Sequence, residues 1–133
     1  MKLTCCARFI VVMMTSINIS GSVPVTGDEI DRESYYEAAA DIWARGCRGD
    51  DLGDREQARF HSLARDRFYT FVMSANHAQV VGDGKKIQSL IHSLALDLHR
   101  SPGLASEWRI SEFAEEGIGP MVTARLLEVR DEG

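Results

Sequence analysis

Apolar side chains recur along this chain at intervals of three and four, the period of a helix that buries one face. Tyr35, Ala38, Ala39, Ile42 and Trp43 follow it and predict a first helix over about 28–45. Thr26 and Glu29 stand three apart in the capping-box arrangement, so Thr26 would open that helix. Asp41 and Arg45, four apart, would pair on its wet side. Gly46 would end it, because a helix C-terminus favours a residue with left-handed backbone. Residues 47–53 read as a polar, glycine-rich loop.

A second helix begins near Asp54 and meets no breaker until Gly82, a length of about 42 Å. Its main apolar face is Phe60, Ala64, Phe68, Phe71, Ala75 and Ala78. A narrower stripe through Tyr69, Met73 and Val80 lies nearly opposite. Such a helix is either sandwiched between neighbours or offers one stripe to a partner. Asp54 and Glu56 suit the positive end of its dipole. The turn Gly82-Asp83-Gly84 leads to a third helix over about 85–99, capped by Asp83 or Gly84. Ile87, Leu90, Ile91, Leu94, Ala95 and Leu98 give it the cleanest apolar face in the chain. Ser101 and Pro102 fit the cap and first position of a short helix through Trp108. One more turn is expected within 111–116, and Pro120 opens a last helix with Met121, Val122, Leu126 and Val129. No alternating β-branched run is bounded by hairpin turns. The expected fold is an all-α helical bundle built on one long central helix, about 54–81, with antiparallel neighbours.

Charge changes the picture at the start of the chain. The whole carries a net charge of -5 over 133 residues, the length of one domain. Residues 1–27 hold Lys2 and Arg8 and no acid. The run Phe9–Ile19 has eight apolar residues in eleven, followed by Ser20-Gly21-Ser22. A basic start, a short apolar stretch and small residues are the grammar of a secretory signal, with cleavage expected after Ser22. The run is shorter than the roughly 20 apolar residues of a membrane span. A weak anchor, the tail of a longer membrane helix and an arm packed on the domain remain open alternatives. The expected organisation is a signal-like or weakly anchoring segment, 1–22, and a single helical domain, 23–133. That domain would carry a charge of −7 and one of the three cysteines, Cys47. A lone cysteine is ordinarily a small buried hydrophobe. The acidic balance argues against nucleic acid, which needs a basic footprint.

The chemistry is thin. His61, His77, His92 and His99 lack metal-ligand spacing; the last two, seven apart, are separated by about 10 Å along a helix. His92, Ser93 and Asp97 do not by themselves form a nucleophile–base–orienter line. Glu107, Glu115 and Glu116 have no identifiable partner. Asp50-Asp51 lacks the alternating oxygen ligands of a calcium loop, and Gly84-Lys85-Lys86 lacks the glycine and hydroxyl of a phosphate loop. Arg55, Arg59, Arg65 and Arg67, interleaved with acids, read as a salt-laced solvent face, or alternatively as a patch for anionic headgroups or an acidic partner. No catalytic residue, metal site or cofactor is identified.

The ordered set Ile42-Trp43-Ala44-Arg45-Gly46, Asp54-Arg55-Glu56-Gln57-Ala58-Arg59-Phe60, Phe68 with Phe71, Gly82, Ser101-Pro102-Gly103 and Trp108 resembles an uncharacterised family of small helical bacterial proteins. Its members typically carry one N-terminal membrane helix before such a helical domain. The resemblance spans about residues 38–115 and implies fold and membrane association but no activity. Here the membrane helix is replaced by the shorter, interrupted run 9–19.

Two function classes follow. The first is a non-enzymatic interaction module, membrane-associated or exported, that presents Tyr69, Met73 and Val80 to a protein partner or a second copy, with membrane contact through residues 9–19. The alternative is a small enzyme or ligand-binding domain using carboxylate and histidine side chains that the fold would assemble. It requires a pocket that gathers at least two of His61, His77, His92, His99 and Glu115. For location, the alternative to membrane association or export is a cytoplasmic protein whose N-terminus is retained and packed.

Overall fold

The computed structural model describes residues 29–132, with side chains from residue 34 onward. The signal-like segment 1–22, its cleavage point, the run 9–19 and the Thr26 cap lie outside the described residues. Among the described residues five helices follow in order: α1 (Glu29–Arg48), α2 (Asp54–Val80), α3 (Gly84–Arg100), α4 (Pro102–Ile110) and α5 (Gly119–Glu132). A 3-10 turn, Glu112–Ala114, sits between α4 and α5. The fold is an all-α helical bundle, as the periodicity predicts.

The central helix α2 buries Phe60, Leu63, Ala64, Phe68, Phe71, Ala75 and Ala78. That is the expected main face with Leu63 added. Its end is closed by two backbone bonds: Gly82 N–H donates to the Gln79 carbonyl at 3.2 Å and Asp83 N–H to the Ala78 carbonyl at 2.8 Å. The Asp83 side chain then accepts from the Lys86 N–H at 3.0 Å, so Asp83 is the α3 cap. This three-residue connection, Val81–Asp83, folds α3 back antiparallel along α2, and Ile91, Leu94, Ala95 and Leu98 complete the core. Helix α5 covers α3 through Val122 and Leu126.

Trp108 is the hub on the other side. Its ring meets Phe68 edge-on at 5.0 Å between centroids, and its indole N–H donates to the Thr123 hydroxyl at 3.2 Å. Burying an indole requires such a partner, so this bond ties α4 to α5 as well as filling space.

Helix α1 departs from expectation. Gly46 does not end it; the helix runs to Arg48, and Gly49 takes the left-handed conformation with φ +81°. Asp50 N–H then reaches the Arg45 carbonyl at 3.0 Å. Gly46 serves packing instead. A Cβ there would lie 2.1 Å from Phe60 Cδ1, and one on Gly103 would lie 1.7 Å from the Gly46 carbonyl oxygen. Two glycines thus let the Phe60 ring of α2 lie against the α1 backbone and let α1 and α4 meet at backbone distance. Cys47, assigned to the loop by the early stop, is a buried helical residue. Tyr35 and Ala38 are exposed rather than on the buried face of Ala39, Ile42 and Trp43. Tyr35 instead carries the Arg59 guanidinium 4.9 Å over its ring.

Ser101 also acts differently from the expected cap. Its hydroxyl makes no capping bond to α4, whose first turn is held by the Ser101 carbonyl accepting from Ala105 N–H at 2.9 Å. Among the described residues no helix is long and apolar enough to cross a membrane.

Candidate functional site

The two ends of α2 are built from different chemistry. Between Asp54 and Arg67, seven of fourteen residues are charged; from Phe68 to Gly82 none is. The first half is fastened to its surroundings by ion pairs. Glu56 pairs with Arg45, which also holds Asp41 at 2.8 Å. The expected Asp41–Arg45 pair therefore forms part of a three-residue bridge between α1 and α2. The Arg45 guanidinium, helped by the Gly53 N–H, holds the Glu56 carboxyl below its usual range; Glu56 and then Asp41 raise Arg45 in turn. Arg65 binds Glu112 at 2.6 Å.

Arg67 corrects the reading of a uniform solvent face. It lies 3.1 Å from Asp97 on α3, and the Asp97 side chain is only 3% exposed. The pair is interior because Arg67 falls one residue before Phe68, at the edge of the buried stripe, where α3 covers it. Glu107 likewise has partners that sequence alone leaves unassigned. Its mostly buried carboxylate accepts from Gln57 at 3.4 Å and meets His61 Nδ1 at 2.6 Å. The helical registers of α2 and α4 would have suggested this only once their packing was known.

The residues of the enzyme alternative do not converge. His61 contacts Glu107; His92, half-buried rather than on an open face, accepts at Nδ1 from Arg125 Nε at 3.1 Å. His77, His99 and Glu115 are exposed on separate elements. One groove, about 460 Å³, lies between α3 and α5 and includes His92 with Arg125 and Glu128; another, about 420 Å³, lies between α1 and α2 beside Tyr35, Arg55 and Arg59. Neither holds two of the five residues. Among the described residues no three His, Cys, Asp or Glu side chains are grouped to hold a metal.

The second half of α2 keeps the other candidates together. Tyr69 is 58% exposed, Met73 51% and Val80 86%. At helical spacing they share one side, opposite Phe68, Phe71, Ala75 and Ala78. Val81 extends the exposed apolar surface past the helix end. The neighbouring exposed residues Thr70, Asn76 and His77 are polar without formal charge. The missed sequence signal was this absence of charge over Phe68–Gly82, which the apolar period alone does not register.

No family model, curated protein or solved structure matches the chain.

Proposed function

We propose that this chain is a non-enzymatic interaction module, membrane-associated or exported, that binds a protein through the outer face of α2 around Tyr69, Met73 and Val80. One observation carries the reading: a helix that is half charged over its first fourteen residues is free of charge over its last turns, where it exposes Tyr, Met and Val. Interface cores are depleted in charge and enriched in Tyr and Met, because charged groups cost desolvation energy when covered while Tyr and Met bring contact area. A solvated helix has no need of such a stretch.

Location belongs to the same proposal. Its support is the basic, acid-free start and the apolar run 9–19. The resemblance to small bacterial proteins with an N-terminal membrane helix points the same way. N-terminal sequencing of the protein from fractionated cells checks this part, and an intact Met1 in a soluble cytoplasmic fraction overturns it.

The interface is checked by hydroxyl-radical footprinting. Tyr69 and Met73 are expected to be protected in producing cells relative to the dilute purified chain. Equal labelling in both settings overturns the interface reading.

A further inference from the structure

The first half of α2 carries four arginines, and the fold divides them into two pairs. Arg65 is held by Glu112 and Arg67 by Asp97. Arg55 and Arg59 make no ion pair among the described residues. They stand one helical turn apart, where like charges repel. Arg55 also lies in the first turn of α2, where the helix dipole favours acids over bases. Both line the groove of about 420 Å³ between α1 and α2, together with Tyr35, Ala58, Ser62 and Leu63. Leu63 is buried, and the Tyr35 ring holds the Arg59 guanidinium 4.9 Å from its centroid. Apolar side chains with a few convergent polar groups are the usual make-up of a small-molecule site.

The acids nearby do not cancel this charge. Asp41 and Glu56 are both engaged by Arg45. Asp51 and Asp54 flank Arg55 in the chain but do not line the groove. Asp66 does line it. It comes seven residues after Arg59, about 10 Å farther along the helix axis. One end of the groove is therefore basic and the other acidic, and an anion belongs at the Arg55–Arg59 end.

We propose that this end of the groove binds the phosphate group of a phosphate monoester. Such a group carries close to two negative charges at neutral pH and three acceptor oxygens. That matches two guanidiniums, each of which presents a planar fork of donors. A carboxylate brings one charge and would leave the second guanidinium unmatched. The Ser62 hydroxyl adds a donor in the same groove, and Tyr35 and Leu63 offer apolar surface to the organic part of the ester. The site is separate from the Tyr69–Met73–Val80 stripe and does not rest on the interface reading. Two sources offer the same group: a soluble ester, and the headgroup of phosphatidic acid.

Two binding arms on the full chain test this. In the first, phenyl phosphate is titrated at low salt and followed by amide and arginine side-chain NMR shifts. In the second, the chain is sedimented with phosphatidylcholine vesicles with and without phosphatidic acid. Arg55→Gln and Arg59→Gln are each expected to weaken binding about tenfold, the scale of losing a charged hydrogen-bond donor. Asp66→Asn should strengthen it about two- to threefold by removing a like charge from the groove. Lys85→Gln, beyond the opposite end of α2, controls for net charge and should change nothing. Circular dichroism of each variant should show unchanged helicity, because these side chains lie at the surface. Saturable, arginine-dependent shifts with no gain from phosphatidic acid assign a soluble ester. Vesicle binding that needs both phosphatidic acid and Arg59 assigns the headgroup. The proposal is overturned if neither arm shows arginine-dependent binding, if Lys85→Gln weakens binding as much as Arg59→Gln, or if acetate binds as well as phenyl phosphate.

Discussion

The two halves of α2 share one helical period and one buried face, yet they treat their other faces in opposite ways. Over Asp54–Arg67 the flanks are charged and held by α1, α3, α4 and the 3-10 turn through Arg45–Glu56, Arg67–Asp97, His61–Glu107 and Arg65–Glu112. Over Phe68–Val80 the flanks are uncharged, and the apolar side chains opposite the core stand in the open. A buried face accounts for the position of a helix in a bundle. It does not account for the absence of charge from an exposed face, and that difference locates the candidate interface.

The comparison breaks most visibly at the junction of the two halves. Phe68→Ala removes a ring that is fully buried against Trp108 and Phe113. It should cost about 3–5 kcal/mol in denaturant unfolding, the range for truncating a buried aromatic. Tyr69→Ala, one residue on, belongs to the opposite face and gives the control described last.

Gly103→Ala tests how the charged half is enclosed. The added methyl would collide with the Gly46 carbonyl, which is backbone and has no rotamer to yield. A loss of about 3 kcal/mol is expected, the upper end for overpacking, with α1 and α4 showing faster amide exchange than the α2–α3 hairpin. Arg67→Met strands Asp97 in the interior. Its cost should be about 2–3 kcal/mol, below the fully buried range because Arg67 keeps some solvent contact. The double variant Arg67→Met with Asp97→Leu should recover part of that loss, since no buried charge is left unpaired.

Glu56 gives a smaller, pH-dependent signal. Arg45 holds its folded carboxyl below the ordinary value of 4.5, so the unfolded chain binds its proton first as pH falls. The stability from this pair is therefore present above pH 4.5 and lost progressively as pH drops through the lower folded value. Melting curves of the natural chain and Glu56→Gln should differ near neutral pH and approach each other in acid; a constant gap at all pH values would reject the pair as the cause. The smallest effect belongs to the open face. Tyr69→Ala should change the stability of the purified chain by no more than about 0.5 kcal/mol, because its side chain is exposed.

Much of the bundle was legible from spacing. The α2 core face, the α3 core face and the turn Gly82-Asp83-Gly84 each depend on local period or on local backbone bonds, so a linear pattern specifies them. Gly46 was misread for an equally physical reason. A glycine near a helix end serves either a left-handed turn or a close approach, and only the position of Phe60 and Gly103 tells which. The candidate face was legible in part. Tyr69, Met73 and Val80 appear as a stripe in sequence, but whether a neighbouring helix covers them depends on where α1 and α5 pack.

The sequence by itself determined that the chain forms helices, which face of each long helix is apolar, and that α3 must turn back on α2, because periodicity and a short glycine turn are local properties. Only the tertiary structure decided that Arg67 is interior, that Glu107 holds His61, and that Gly46 meets Gly103. These pairs are 30, 46 and 57 residues apart in the chain, and their contact follows from how whole helices cross rather than from the residues beside them. The same crossing leaves the last turns of α2 uncovered, and so turns a second apolar stripe into a surface.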